Sequence, residues 1–496
     1  MVNQCTLLRG TGPDQNISSP ILGLPMELFG RIFLAAAHDP DTPTEHAGGE
    51  HAVPIEVTIS HVCSTWRNVA LSCRRLWSVF NNRGQDGIEL IDRLVTYLSR
   101  SAPLPLELTL YFSTEEPLLP VAEEAVQLVV DQIERWKSVT FSMKKPIPFL
   151  TGLQSSLMYR EAPLLQYLKL DVGSIGTGQP WVHNSLEACI MQLGSSSLSY
   201  LELTNTSGAF FLPSLSNITV LTLDVDHHGP KIAFVAFFCA ITSLPLIALS
   251  VTNEALHFEL DDVIGQFHMS TLKHLRWANT GDDEIFPAFV IFLSNLIAPL
   301  LETLSIFCVP FCEEPLPLKS QFPRLHTFSS VDCDTISLEW VQRIGAATPN
   351  VTKLVIVARK TGALMHNLNN HHALNNTTTA VLWPKLQHVV IHNHADIQMF
   401  VNFVRFRNDC TGIGSVLPKL ELRVAQAHLE EWDRQSLVSQ TAKSALQELE
   451  SLCEAVDQVD LKEEFNHGRW PMDIDLPVRE GMFVESRTFS VDQWVA

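Results

Sequence analysis

The chain has 496 residues, of which 46% are hydrophobic and 18% are charged, so it carries enough apolar material for a large core and is not globally disordered. Its formal net charge of −20 repels phosphate backbones and acidic lipid headgroups, which argues against nucleic acid or a membrane as a partner. The length fits either about three ordinary domains or one small domain joined to a repeat array.

The N-terminus and the cysteines indicate the cellular compartment in which the protein is expected. Residues 1–19 form a polar arm that lacks the cationic start and apolar core of a signal peptide. The ten cysteines have no regular spacing, which is typical of free thiols in a reducing compartment. We therefore expect an intracellular protein, cytoplasmic or nuclear.

A compact block at residues 20–83 contains three helical patterns. The first begins at Leu24-Pro25, where proline suits the first helical turn and Glu27 suits the positive end of the helix dipole. Two apolar pairs at i, i+4 spacing follow, namely Leu28/Ile32 and Phe29/Phe33. A later helix is predicted over Ser60–Leu71, and the segment Asp39–His51 between them reads as a polar loop.

This block is too small to be self-sufficient, because about sixty residues bury only a marginal core. Some of its apolar surface must therefore lie against another element. The residues alone leave two readings open. The block is either an N-terminal cap on the rest of the chain or the docking site for a partner.

The block resembles the F-box family. The residues that carry the resemblance are Leu24-Pro25-x-Glu27-Leu28-x-x-x-Ile32-Phe33, then Val62-Cys63-x-x-Trp66-Arg67-x-x-Ala70, then Leu76-Trp77. It departs from the family in a longer loop between the first two helices and in Arg74, where proline is frequent. The resemblance covers about an eighth of the chain.

The resemblance implies a three-helix module that docks on a Skp-type adaptor and, through it, on cullin and RING subunits. Carried over residue by residue, it implies that Trp77 packs inside and that eight residues contact the adaptor. These adaptor-contact residues are Leu24, Pro25, Glu27, Leu28, Ile32, Val62, Cys63 and Trp66.

A second pattern, Leu-x-x-Leu-x-Leu, recurs through the rest of the chain. Ten copies of varying quality have first positions that run from Leu165 to Leu417, an average step of 28 residues. These first positions are residues 165, 198, 218, 246, 272, 301, 325, 351, 386 and 417. The spacing is at the upper end of the leucine-rich-repeat range, and Leu-x-Leu places two side chains on one face of a strand.

Helices are predicted before several of these strands, at Leu186–Leu193, Ile232–Ile241, Leu338–Ile344 and Ile397–Arg407. A long helix over Val424–Phe465 is expected to cap the array. The last fifty residues hold twelve acidic and four basic side chains, so the chain ends in an acidic tail.

The predicted fold class is mixed α/β, with a three-helix F-box followed by an irregular leucine-rich-repeat-like solenoid and a C-terminal helix. The predicted domains are an arm at 1–19, the F-box at 20–83 and a linker with the first helix–strand units at 84–150. The solenoid follows at 151–425, and the C-terminal helix and acidic tail occupy 426–496.

Catalytic motifs are missing from the sequence. It has no phosphate-binding loop, no Gly-x-Ser-x-Gly and no His-Glu-x-x-His. Cys308, Cys312 and Cys333 read as structural thiols rather than metal ligands, because no histidine or second cysteine pair has suitable spacing. The histidines at 366, 371, 372, 388, 392 and 394 read as a polar strand end and loop.

Together these features predict a non-enzymatic substrate receptor of a cullin-RING ubiquitin ligase of the SCF type, with no cofactor and no metal. The F-box would dock on the Skp adaptor, and the repeats would recruit a target protein for degradation. The alternative is a leucine-rich-repeat interaction scaffold whose F-box-like block is only a cap. The sequence does not identify the target.

Overall fold

The computed structural model describes residues 24–37, 54–82, 88–112, 119–143, 149–172, 182–183, 187–205, 211–225, 231–258, 265–279, 288–309, 321–333, 337–358, 364–365, 367–368, 381–393, 397–409, 417–459 and 470. The predicted arm at 1–19 and the loop at Asp39–His51 lie outside these residues. None of the helices in the described ranges combines the length and the hydropathy that a membrane crossing requires.

The chain is mixed α/β, as the sequence predicts, and divides into two compact units. The first unit consists of Met1–Val79 with Thr96–Leu104, and the second consists of Phe80–Val95 with Pro105–Ala496. The first unit thus ends at Val79 rather than at the predicted residue 83, and it adds the segment Thr96–Leu104.

The first unit is helical. Its helices are α1 (Met26–Ala37), α2 (Ile55–Ser60) and α3 (Ser64–Ser72), followed by a 3-10 turn at Arg74–Trp77. The end of a further helix, α4 (Ile88–Ser101), supplies the added segment. The helix predicted from Ser60 begins instead at Ser64, because Cys63 is extended (φ −157°, ψ 172°) and its sulfur accepts a hydrogen bond from the Trp66 amide.

The second unit contains eight further helices within its described residues. They are α5 (Leu119–Val130), α6 (Phe149–Met158), α7 (Phe234–Ile241), α8 (Ala288–Asn295), α9 (Leu338–Ala347), α10 (Ile397–Asp409), α11 (Gln426–Val438) and α12 (Gln440–Leu452). Helices α7, α9 and α10 confirm three of the predicted helices.

The helix predicted at Leu186–Leu193 does not form over its described residues. Met191 has a left-handed backbone (φ 48°), which a helix does not accommodate. The amides of Met191 and Gln192 instead donate to the carbonyls of Leu157 and Met158 (2.8 and 2.9 Å). This segment therefore satisfies the terminal carbonyls of α6 rather than making a helix of its own.

A fourteen-stranded sheet dominates the second unit, in which every strand neighbours the next along the chain. The strands are β1 (Val79–Asn81), β2 (Leu106–Phe112), β3 (Trp136–Met143), β4 (Tyr167–Val172), β5 (Tyr200–Asn205), β6 (Val220–Asp224), β7 (Ala248–Thr252), β8 (His274–Ala278), β9 (Thr303–Phe307), β10 (Thr327–Val331), β11 (Lys353–Ala358), β12 (His388–Asn393), β13 (Glu421–Ala425) and β14 (Ala455–Val459). All neighbouring pairs from β2 to β14 are parallel.

The ten Leu-x-x-Leu-x-Leu patterns coincide with the ten strands β4 to β13, which confirms them as strand signals. In nine strands the middle position of the pattern forms one cross-strand row, from Leu168 of β4 to Val389 of β12. The tenth pattern was placed two residues too early, because Leu422 rather than Leu420 pairs with Val389. Pro418 precedes the first residue of that strand, Glu421, by three residues, as Pro245 precedes Ala248.

The sheet extends on both sides of the span 151–425, since β1, β2 and β3 precede it and β14 follows it. The single helix predicted over Val424–Phe465 is wrong. Val424 belongs to β13, and Ser439 separates α11 from α12 because its side chain caps the latter by accepting from the Ala442 amide. Residues Ala455–Val459 form β14.

The two faces of the sheet differ. The leucine face carries the row from Leu168 to Val389, together with the residues two positions later. The second face carries the alternate residues, such as Tyr167, Lys169 and Asp171 of β4. On the leucine face, Trp277 packs against Phe238 of α7 and Phe292 of α8, whose rings lie 4.3 Å apart.

A buried arginine fixes the chain ahead of β12. Arg407 of α10 is 1% exposed, and its guanidinium donates to the carbonyls of Trp383 (3.1 Å), Pro384 (3.2 Å) and Leu386 (2.8 Å). One side chain thus donates to three carbonyl groups of this turn, of which the Trp383 carbonyl also accepts from the Leu386 amide (3.0 Å).

Replacing this side chain with Arg407→Leu should lower the free energy of unfolding by about 2–4 kcal/mol, because three carbonyls lose charged donors inside the protein. The matched control is Arg405→Leu on the same helix, whose half-exposed guanidinium bonds Glu448 (2.8 Å). It should change the free energy by less than about 1 kcal/mol. Equal urea midpoints for the two variants would contradict this account of the turn.

Candidate functional site

The helices of the first unit are held by an aromatic cluster. Phe29 and Phe33 lie one turn apart on the inner side of α1, and both are 1% exposed. The Trp66 ring of α3 lies 6.0 Å from the Phe29 ring and 5.1 Å from the Phe33 ring. This packing fixes the rotation of α1 and so decides which of its side chains face outward.

The end of α4 completes the core of this unit. Trp77 is buried, as the resemblance implies, and its indole nitrogen donates to the Ala70 carbonyl (2.8 Å). The ring of Tyr97 lies 5.1 Å from that of Trp77, and the Tyr97 hydroxyl donates to the buried carboxylate of Glu56. The guanidinium of Arg100 lies over the Trp77 ring, 4.3 Å from the ring centre.

The outer side of α1 is apolar and exposed. Met26, Leu28 and Ile32 are 53%, 42% and 46% exposed. Leu28 and Ile32 stand one turn apart and form a continuous strip. The Pro25 carbonyl begins the helix by accepting from the amides of Leu28 and Phe29 (3.0 and 3.2 Å), which sets the position of this strip.

A further apolar side chain comes from the turn between α2 and α3. Val62 is 57% exposed there. The turn is fixed by Cys63, whose sulfur lies 3.5 Å from the Trp66 amide, and by Arg67, whose guanidinium donates to the Ser60 carbonyl (2.9 Å). We call the exposed residues Met26, Leu28, Ile32 and Val62 the apolar strip.

The structure divides the eight predicted contact residues into two groups. Pro25, Glu27, Leu28, Ile32 and Val62 are exposed, and Leu24 is half-buried. Cys63 and Trp66 are half-buried and hold the turn and the aromatic cluster, so their main role in this structure is internal.

Two exposed apolar residues of the unit were not predicted as contacts. Met26 and Leu71 (38% exposed) lie outside the motif positions that carry the resemblance. Leu71 falls in the last turn of α3, where the pattern of Val62, Trp66 and Ala70 gave no reason to single it out.

Among the described residues, no group of three or more histidine, cysteine, aspartate or glutamate side chains could hold a metal ion. Burial raises the pKa of the Cys333 thiol to about 12 and that of Cys453 to about 11, so both stay protonated at neutral pH. Cys312 and the histidines at 366, 371, 372 and 394 lie outside the described residues.

His388 and His392 share the second face of β12. His388 pairs with Glu421 of the next strand, at 3.1 Å. The same carboxylate accepts from Arg423, and this arginine and then His388 lower the pKa of Glu421. The group is a charged network on a strand surface, not a ligand set.

Comparison with known proteins assigns no role to the apolar strip. No protein-family model matches the chain, and no curated protein matches it. What this surface does must therefore be argued from its own residues and geometry.

The variant Trp66→Ala should lower the free energy of unfolding of the first unit by about 3 kcal/mol or more, because it leaves a cavity between Phe29 and Phe33. The control Ile32→Ala removes an exposed side chain and should change the free energy by about 0.5 kcal/mol or less. Differential scanning calorimetry of the full chain measures both. If Trp66→Ala melts like the unaltered chain, the aromatic cluster is not what holds α1.

Proposed function

We propose that this protein is a substrate receptor of an SCF-type cullin-RING ubiquitin ligase, whose first unit is an F-box that docks on a Skp-type adaptor. The observation that carries the proposal is the apolar strip. The first unit buries Phe29, Phe33 and Trp77 but leaves five large apolar side chains exposed, namely the four of the apolar strip and Leu71. Such a strip on a small helical unit is typical of a surface that binds a partner.

The energetics support a docking role. Apolar surface contributes about 25 cal/mol for each Å² removed from water, and side chains fixed by a rigid core lose little conformational freedom on binding. The backbone that carries Leu28 and Ile32 is held in place because Phe29 and Phe33 of the same helix pack against Trp66. The strip also coincides with the positions Leu28, Ile32 and Val62 that the F-box resemblance assigns to adaptor contact.

The second unit supports the receptor role. One parallel strand per repeat, with a leucine row shared by successive strands, is the pattern of leucine-rich repeats. We assign this unit to target recruitment, so that it raises the concentration of the target near the ubiquitin-transferring subunits. In this proposal the protein itself catalyses no step.

The double variant Leu28→Glu/Ile32→Glu should abolish co-purification with a Skp-type adaptor expressed in the same cells. Burying two carboxylates in an apolar interface costs at least about 2 kcal/mol each, so affinity should fall by about a thousandfold. Isothermal titration of the purified chains gives the magnitude.

The matched control is Leu193→Glu/Leu437→Glu, the same chemical change at two exposed leucines of the second unit (66% and 87% exposed). It should bind the adaptor like the unaltered chain. If the unaltered chain does not bind any Skp-type adaptor, the receptor proposal fails and the alternative of a scaffold with an N-terminal cap is favoured. If both double variants bind, the apolar strip is not the docking surface.

A further inference from the structure

The second face of the sheet carries an aromatic slot with an occupant from the same chain. Its floor is a cross-strand row of four residues on β4 to β7, namely Tyr167, Tyr200, Val220 and Ala248. The next residue of that row is His274 of β8, and Arg276 stands two positions further on the same face. Trp470 packs against this floor.

Polar groups hold the ring in the slot. The imidazole of His274 meets the Trp470 ring nearly edge-on at 6.4 Å, and the guanidinium carbon of Arg276 lies 4.6 Å from its centre. A guanidinium over an indole is favourable by about 0.5–2 kcal/mol. The slot therefore recognises an aromatic ring by its electron-rich face as well as by its apolar area.

The residues of the floor also contact one another. The rings of Tyr167 and Tyr200 lie 4.8 Å apart, and the Tyr167 hydroxyl donates to Glu202 (3.4 Å). Glu202 is in turn held by the buried ammonium of Lys169 at 2.6 Å. Burial is the main cause that raises the pKa of both tyrosines, so the floor stays neutral at physiological pH.

Trp470 differs from the tryptophans of the core. Trp136, Trp277, Trp340 and Trp383 are at most 1% exposed, whereas Trp470 is only partly buried. It follows β14, which ends at Val459, yet it contacts β8, six strands away. Six strand spacings amount to about 29 Å, close to the roughly 36 Å that eleven residues can span. The eleven residues from Val459 to Trp470 are therefore long enough to reach β8.

We propose that this slot is a binding site for a tryptophan residue of a peptide, and that Trp470 occupies it as a competitor within the same chain. Trp470 identifies the ligand chemistry, because its indole ring meets the guanidinium of Arg276 and the imidazole of His274. A tethered ring competes at a high effective concentration, so a peptide in solution binds well only after Trp470 has been removed. The proposal concerns the second unit and does not require the adaptor role.

The probe is a dye-labelled peptide of residues 467–475, titrated into full-length protein and followed by fluorescence anisotropy. Trp470→Ala should remain folded, because the residues of the floor also contact one another, and should bind the peptide at least tenfold more tightly than the unaltered chain. A peptide with alanine in place of its tryptophan should not bind. Absence of peptide binding to folded Trp470→Ala overturns the proposal, as does a Trp470→Ala chain that fails to fold, since the ring would then be part of the core.

A second pair of variants tests the slot itself in the Trp470→Ala chain. Arg276→Gln should weaken peptide binding at least tenfold. The matched control Arg423→Gln removes an arginine from the same cross-strand row, five strands away, and should leave the affinity unchanged. Equal loss in both variants would mean nonspecific attraction of the peptide and would overturn the assigned site.

Discussion

The alignment of one apolar row across parallel strands is the constraint on which the second unit depends. Each of the nine strands β4 to β12 buries a leucine, phenylalanine or valine directly opposite that of its neighbour, from Leu168 to Val389. A shift of one residue in any strand would turn its apolar side chains to the other face. The row therefore fixes the register of the sheet, and the register decides which side chains meet on the second face.

Parallel sheets are normally buried on both faces, and this sheet meets that requirement in two ways. On β8 to β14 the second face carries an apolar cluster, whose members are Ala278, Phe307, Val331, Val355, Val357, Val390, Ala425 and Val459. On β4 to β7 it carries the apolar row of Tyr167, Tyr200, Val220 and Ala248, and the polar residues beside this row are paired with one another. Lys169 pairs with Glu202, and Asp171 accepts from Ser142 and Thr204 (3.0 and 2.8 Å). Trp470 lies where the two regions meet.

Much of this arrangement could be predicted from sequence, because its signals are local. Leu-x-x-Leu-x-Leu predicts a strand and its buried face, and the i, i+4 pairs of α1 predict its apolar faces but not which pair is buried. The break at Ser439 and the strand at Ala455–Val459 were missed because an amphipathic pattern continues across a cap residue. Contacts between residues far apart in the sequence could not be predicted either. Nothing near Tyr97 shows that it meets Glu56, and nothing near Trp470 shows that it meets Arg276.

The central claim is that the apolar strip of the first unit is a docking surface for a Skp-type adaptor. Amide hydrogen exchange of the full chain, with and without the purified adaptor, tests it most directly because exchange reports protection along the whole backbone. The account predicts slower exchange in Met26–Ala37 and around Val62 on adding the adaptor, with the strands β4 to β13 unchanged. Protection confined to the strands, or no protection in α1, would contradict it.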